Sequence, residues 1–257
     1  MKRLSFLFLL VLTGCQQSDT DIFVSLVPLQ GIVQEISDNM TVDVMVPVGA
    51  NPHTYEPTPS KIKEVSEARM YVKAGSGIEF EVAWFDKIRS LNKDMIVVDA
   101  SDGLDFENPH IWLSLSNLEV IANNIYQGLA ELDPENKETY KANLDEYLSR
   151  IRSIDQEITV RNKSFVAFHP AWDYFARDYN LTQVPIMKEG KEPTFQDVRE
   201  VIEKVNEENI SVILVSPQFS SRYADAISEE TNAKVVRADT LASDTPSTIR
   251  EIAQVIG

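Results

Sequence analysis

Three histidines are the only imidazoles in this chain of 257 residues, and each of them stands next to a proline. They occur as Asn51-Pro52-His53, Asn108-Pro109-His110 and His169-Pro170. The imidazole is the commonest metal ligand among protein side chains, and a proline stiffens the backbone that carries it. A single histidine after a strand is more often a hydrogen-bonded loop residue. The three together, far apart in the sequence, favour one preorganised metal site.

The elements that must position these residues alternate along the chain. Apolar runs predict strands, and the segments between them have helical patterning, which together indicate parallel sheets with helices on their faces. Strands are predicted at 22–27, 42–46, 70–74, 95–99, 164–168, 212–215 and 234–237. Helices are predicted at 29–37, 60–68, 80–90, 172–179, 195–206 and 221–231, with a last helix from about Pro246.

Most of the candidate ligands follow predicted strands. His53 comes after the strand at 42–46, His169 ends the strand at 164–168, and Asp239 lies just beyond the strand at 234–237. In open α/β sheets, ligands bind in the crevice beyond the carboxyl ends of the strands. His110 is expected at the start of a helix that opens near 113–116. Three imidazoles and one carboxylate form a ligand set suited to Zn²⁺.

Three acidic residues are close in sequence to these candidates and could orient them by hydrogen bonding: Glu56, Glu79 and Asp173. Carboxylates often fix the orientation of a metal-binding histidine through its other ring nitrogen. A solvated surface position is the competing interpretation for each of the three.

One long helix is expected in the middle of the chain. Asp133-Pro134 has the residue types of a helix start, and an apolar stripe continues to about residue 160 without glycine or further proline. We therefore predict an N-terminal α/β domain at 22–132, a connecting helix at 133–160 and a C-terminal α/β domain at 161–257. The alternative is an ordinary surface helix.

The first fifteen residues have the layout of a bacterial lipoprotein leader. Lys2 and Arg3 precede an apolar stretch at 4–12 that is too short to span a bilayer, and Thr13-Gly14 precedes Cys15. We predict that Cys15 is lipidated and that residues 16–21 form a polar tether. An ordinary signal peptide with an incidental cysteine is the alternative.

Charge and cysteine content exclude several functions. Once Lys2 and Arg3 are removed with the leader, 22 basic residues oppose 40 acidic ones, and such a surface repels nucleic acid. Cys15 is the only cysteine, which leaves the mature protein without disulfides or thiolate metal ligands. No run after the leader is long and apolar enough to cross a membrane. The membrane contact expected is the lipid anchor alone.

Several motifs resemble a known family, the zinc and manganese ABC-transporter solute-binding proteins of the ZnuA/TroA type (cluster A-I). Val46-Pro-Val-Gly-Ala-Asn-Pro-His-Thr-Tyr-Glu-Pro-Thr-Pro-Ser60 resembles the family's first ligand segment, and Asn108-Pro-His-Ile-Trp-Leu113 its second. Further matches are Gly75-Ser-Gly-Ile-Glu79, Trp84, Asp133-Pro-Glu-Asn136, Tyr140, Asn143, Phe168-His169, Tyr174-Phe175 and Pro217-Gln218. The similarity covers nearly all of the mature chain.

The resemblance implies two Rossmann-like domains with parallel sheets, joined by one rigid helix, with the metal held between them. It places His53 and His110 on the first domain, and His169 and Asp239 on the second. A histidine at the position of His169 favours zinc, although manganese is possible. The implied protein is not an enzyme. It is expected to act as a monomer outside the cytoplasmic membrane, periplasmic or at the cell surface, and to deliver the ion to an ABC permease.

This chain departs from the family pattern in three places. The segment 102–108 is short and lacks the long histidine-rich loop of many zinc-binding members, Ser216 stands where an acidic residue is expected, and the tail after Asp239 is short. Two alternatives stay open at this point. One is a secreted zinc hydrolase, against which the chain has no H-E-x-x-H motif. The other is a siderophore or cobalamin binder of similar architecture.

Overall fold

The computed structural model describes residues 20–188 and 190–257. The predicted leader, Cys15 and most of the tether lie outside these residues. The described chain forms two α/β domains, each built around a four-stranded parallel sheet. The predicted fold class, two domains with parallel sheets and one connecting helix, is confirmed.

The N-terminal domain contains four strands and four helices of the described chain. Its strands are β1 (Ile22–Val24), β2 (Val42–Val44), β3 (Met70–Lys73) and β4 (Ile96–Asp99). Its helices are α1 (Val27–Ser37), α2 (Pro59–Ser66), α3 (Glu79–Leu91) and α4 (Leu115–Leu132). The strand order is β2-β1-β3-β4, and β1 is buried along its whole length because it lies inside the sheet with helices on both faces.

The C-terminal domain repeats this strand order as β6-β5-β7-β8. Its strands are β5 (Ser164–Ala167), β6 (Thr182–Pro185), β7 (Val212–Val215) and β8 (Lys234–Arg237). Its helices are α6 (Asp173–Asp178), α7 (Phe195–Glu208), α8 (Arg222–Glu230) and α9 (Thr245–Ile256). In each sheet, the chain leaves the two central strands towards opposite edges: β1 leads to β2 and β3 to β4, and likewise β5 leads to β6 and β7 to β8. This is the position at which α/β sheets open a crevice at the carboxyl ends of their strands.

The connecting helix, α5, is shorter than the sequence suggested. It runs from Lys137 to Glu157, or ~30 Å at the usual helical rise. Asp133 does not cap it: the Asp133 carboxylate accepts hydrogen bonds from Asn136 Nδ2 and from the Tyr140 hydroxyl, and Pro134–Asn136 form a 3₁₀ turn. The backbone becomes extended at Ile158, which ends the helix. The apolar stripe is confirmed, because α5 packs through it on α1, α4 and α9.

Strand β6 was missed by the sequence prediction. Its sequence is Thr-Gln-Val-Pro, with one buried residue, so it shows neither an apolar run nor a clear alternation. Because β6 lies at the edge of its sheet, Pro185 removes no hydrogen bond from an inner ladder. Pairing with β5, rather than local patterning, creates this strand.

The two domains share a continuous apolar core along their boundary. Residues of α9, including Ile249 and Ile252, belong to the same buried cluster as the N-terminal sheet. The Trp112 indole is fully buried and donates to the Thr240 carbonyl oxygen at 2.7 Å, across that boundary. None of the described helices combines the length and apolarity needed to cross a membrane.

The backbones of the two domains approach each other closely at Gly31. A Cβ atom at this position would lie 2.1 Å from the Ser243 carbonyl oxygen. Such a contact requires one backbone to move, so glycine is needed here although it is a poor helix former.

We predict that Gly31→Ala destabilises the protein by roughly 1–3 kcal/mol, because overpacking at the boundary outweighs the gain in helix propensity. The free energy of unfolding in urea measures this. Gln34→Ala, at an exposed position of the same helix, is the control. Equal or greater stability of Gly31→Ala would contradict the packing argument.

Candidate metal centre

The fold brings the three histidines to one point between the domains. His53 lies in the loop after β2, His110 in the loop after β4, and His169 two residues after the end of β5. His110 Nε2 is 3.2 Å from His53 Nε2 and 3.1 Å from His169 Nε2. Among the residues that the structure describes, these three form the one group of three or more histidine, cysteine or acidic side chains that could hold a metal ion, and their ligand atoms all lie within 4.8 Å of one another.

Two of the histidines are each held by a local turn of the same kind. The Asn51 side-chain oxygen accepts a hydrogen bond from the His53 backbone N–H at 3.0 Å, and Asn108 does the same for His110, also at 3.0 Å. An asparagine that bonds the backbone two residues later forms a compact turn, and the intervening proline stiffens it. The repeated Asn-Pro-His triplet therefore fixes the backbone of both ligands.

The Nδ1 atoms of these two histidines also have partners. His53 Nδ1 lies 2.6 Å from Glu79 Oε2, at the start of α3, and His110 Nδ1 lies 2.6 Å from Asn108 Oδ1. An oxygen acceptor at Nδ1 places the ring proton there and leaves the Nε2 lone pair free for a metal ion. His169 Nδ1 is buried, with no hydrogen-bond partner among the described residues.

The surroundings of the site are partly apolar. His110 is buried, and its ring lies edge-on to Trp112, with a centroid distance of 5.5 Å. The His169 ring stacks on Phe219 at 5.1 Å. The imidazoles line a cleft of about 580 Å³ between the domains, which Glu79 and Glu192 also border. An ion can reach the ligands from solvent through this cleft.

Burial and the neighbouring imidazoles keep His110 and His169 neutral. Burial lowers the pKa of His110 well below its usual 6.5, and the neighbouring His169 and His53 lower it further. Burial lowers the pKa of His169 to about 4, an effect that His53 increases and the Glu79 carboxylate opposes. Because a metal binds the unprotonated ring, these low pKa values keep both ligands available at neutral pH.

Asp239 is not brought into the histidine group. Its Oδ1 accepts hydrogen bonds from Gln218 Nε2 at 3.1 Å and from the Leu241 backbone N–H at 3.0 Å, and it borders a second cleft beside Val48 and Ser243. Ser216, which replaces the acidic residue expected before Pro217-Gln218, bonds Gln218 and lies 3.0 Å from the Thr240 hydroxyl. The ligand role of Asp239 stays a prediction.

The three acidic residues proposed as orienting groups occupy different places. Glu79 contacts His53 directly, whereas Asp173 contacts Asn108 and so reaches His110 through one intermediate. Glu56 is exposed and takes no part in the histidine network of the described residues. The orienting roles of Asn51 and Asn108 were missed, although their shared triplet with proline and histidine was the signal for them.

The two Nε2 separations from His110 fit a tetrahedral metal ion. Two nitrogens bound to Zn²⁺ at ~2.0–2.1 Å and at the tetrahedral angle lie ~3.3 Å apart, close to the separations found here. Two of these candidate ligands come from the N-terminal domain and one from the C-terminal domain. The fold and site thus define a two-domain protein that can hold a metal ion in the cleft between its domains.

Comparison with known proteins agrees with this class. Residues 22–253 match the family model described as "Zinc-uptake complex component A periplasmic" (ZnuA). The manganese ABC transporter substrate-binding lipoprotein PsaA of Streptococcus mitis is 30% identical over 91% of this chain and 88% of its own length. The high-affinity zinc uptake system protein ZnuA of Bacillus subtilis is 29% identical over 81% of this chain and 74% of its own.

The solved structures include a crystal structure of ZnuA with a TM-score of 0.85 and 37% identity, covering 92% of this chain and 97% of that one. The chain belongs to the ZnuA family. It is a metal-binding solute-binding protein of the ABC-transporter type and not an enzyme, so the hydrolase alternative is excluded.

Protonation of His169 should affect folding in the metal-free protein. Burial in the folded protein lowers the pKa of His169 from its usual 6.5 to about 4. The contribution of the neutral ring to folding stability is therefore fully present above pH 6.5 and is lost as the pH falls towards 4. Between about pH 8 and pH 5, we expect wild-type protein to lose roughly 2 kcal/mol more unfolding free energy than His169→Gln. Urea unfolding in chelator measures both; parallel pH profiles would contradict the argument.

Proposed function

We propose that the protein captures Zn²⁺ outside the cytoplasmic membrane and delivers it to an ABC permease. The observation that carries this proposal is the meeting of three imidazoles in a cleft, with two Nε2 separations suited to a tetrahedral ion. Its membership of a solute-binding family supports delivery to a membrane permease.

Zinc is favoured over manganese by the type of ligand. Imidazole suits Zn²⁺, whereas Mn²⁺ prefers a larger share of oxygen ligands. The third position is His169, a nitrogen donor, and Asp239 lies outside the group that the three histidines form. Relatives include proteins named for zinc and for manganese, so a manganese-binding protein of the same type is the alternative.

The distribution of ligands suggests how binding affects the domains. Because His169 belongs to the C-terminal domain and the other two histidines to the N-terminal domain, a bound ion would fix the relative orientation of the domains. The packing of α5 on α1, α4 and α9 would limit their movement to small tilts. Release would follow when the permease distorts this arrangement.

Attachment to the membrane is part of the proposal. Relatives with similarity over nearly the whole chain are named lipoproteins, and Cys15 stands directly after the small residues of the leader. A lipid at Cys15, followed by the tether, would hold a monomeric protein near its permease, in the periplasm or at the cell surface.

The role of the histidines can be tested with metal-affinity measurements. We expect His110→Ala to weaken zinc binding by at least about 100-fold, more than the loss of a residue that only orients a ligand. Asp239→Asn, at the predicted fourth ligand, should weaken zinc binding less than His110→Ala does, because the carboxylate lies outside the imidazole group and has other partners. Competition with a chromogenic chelator provides both affinities.

The same assay decides between the metals. Wild-type protein should prefer Zn²⁺ to Mn²⁺ in direct competition, and protein purified without chelator should contain zinc. Unchanged zinc affinity of His110→Ala would exclude this site, and a preference for Mn²⁺ would favour the manganese alternative.

The anchor is tested by fractionation of cells that express the full chain. Cys15→Ser should move the protein from the membrane fraction to the soluble extracytoplasmic fraction, because no other cysteine can be lipidated. Ser18→Ala, which leaves Cys15 in place, is the control. Equally firm membrane attachment of Cys15→Ser would show that the cysteine is not the anchor.

A further inference from the structure

Asn108 uses both ends of its side chain at the boundary between the domains. Its oxygen accepts from the His110 backbone N–H and from His110 Nδ1, whereas its Nδ2 donates to the Pro170 carbonyl oxygen at 2.9 Å and to Asp173 Oδ2 at 2.6 Å. Both partners of Nδ2 are oxygens that can only accept. A flipped amide would place oxygen against oxygen, so these partners fix which end faces His110.

The contacts of Nδ2 lie on the opposite domain. Pro170 directly follows the ligand His169, and Asp173 begins α6. The main chain of Asn108 is tied to the same place, because its N–H donates to the Tyr174 hydroxyl at 3.1 Å and its carbonyl oxygen accepts from that hydroxyl at 2.7 Å. One residue thus connects the loop that carries His110 with the loop that carries His169.

His110 differs in this respect from the other two ligands. Glu79, the Nδ1 partner of His53, belongs to the same domain as His53, and its side chain is 61% exposed. His169 Nδ1 has no hydrogen-bond partner within residues 20–188 and 190–257. In this part of the chain, His110 is therefore the ligand whose Nδ1 partner also bonds the other domain.

We propose that Asn108 is a positioning residue that links domain orientation to retention of the metal ion. With the domains in contact, its oxygen keeps the proton of His110 on Nδ1, and the Nε2 lone pair faces the other imidazoles. A tilt at this boundary pulls Pro170 and Asp173 away from Nδ2. Because the carboxamide is planar and rigid, the same movement turns its oxygen away from His110 and weakens the site.

This inference rests on the proposed function for the step of metal release, but its structural part does not. The ring tautomer of His110 can be measured in metal-free protein by ¹⁵N NMR of the imidazoles. The chain has only three histidines, so each signal can be assigned by single substitution. The zinc dissociation rate is then measured separately, by transfer of the ion to excess chelator.

Three variants separate the two ends of the amide. Asn108→Ala removes both ends. Asn108→Asp keeps an oxygen acceptor for His110 but turns a second oxygen towards Asp173. Asp173→Ala removes one cross-domain bond without touching His110. Glu79→Gln, which alters only the partner of His53, is the matched control.

We expect Asn108→Ala to shift the His110 proton from Nδ1 towards Nε2 and to accelerate zinc dissociation by about 10- to 100-fold. Asn108→Asp and Asp173→Ala should accelerate dissociation while His110 keeps its Nδ1 proton. Glu79→Gln should leave the His110 tautomer unchanged. Rapid dissociation without a change of tautomer in Asn108→Ala would show a merely structural role and overturn the proposal.

Two further results have distinct meanings. Dissociation rates of Asn108→Asp and Asp173→Ala within twofold of wild type would also overturn the link between domains and metal, even if Asn108→Ala fails to fold. Failure of wild-type protein to bind zinc at all, with the His110 proton on Nδ1 as expected, would overturn the proposed function instead.

Discussion

The metal centre depends on keeping three imidazoles neutral, correctly protonated and in mutual contact. Burial supplies the first condition for His110 and His169, because it makes a charged ring at these two positions unfavourable. Hydrogen bonds supply the second for His53 and His110, whose Nδ1 atoms face the oxygens of Glu79 and Asn108. The third condition is met only where the two domains come together, because His169 arrives from the opposite side.

The start of α3 and the turn after β3 support this arrangement through hydrogen bonds. Glu81 is buried and accepts the backbone N–H groups of Ala74 at 2.6 Å and Gly75 at 2.9 Å, which fixes the turn after β3. In that turn, the Ser76 hydroxyl donates to the Pro109 carbonyl oxygen at 2.5 Å, next to His110. The same helix, α3, carries Glu79 to His53. One helix start therefore positions parts of both N-terminal ligand loops.

Much of the fold follows from local sequence. The apolar runs that form β1, β3, β5 and β7 are short and continuous, as expected for strands with helices on both sides. The start of α5 and the presence of β6 could not be predicted from local sequence. Asp133 and Pro134 have the residue types of a helix start, yet the Asp133 carboxylate accepts hydrogen bonds from side chains instead of capping α5. Strand β6 exists because an edge position of the C-terminal sheet tolerates a polar segment that ends in proline.

The sequence alone determined the proposed chemistry of the site: three histidines, each beside a proline, were predicted as nitrogen ligands because residue types and positions at the ends of predicted elements are local properties. Only the tertiary structure decided which side chains meet. It placed Asp239 against Gln218 and Leu241 and gave Asn108 its partners on the other domain. The physical reason is that ligand distances across a domain boundary depend on how two separately folded sheets pack, and no local pattern encodes that packing.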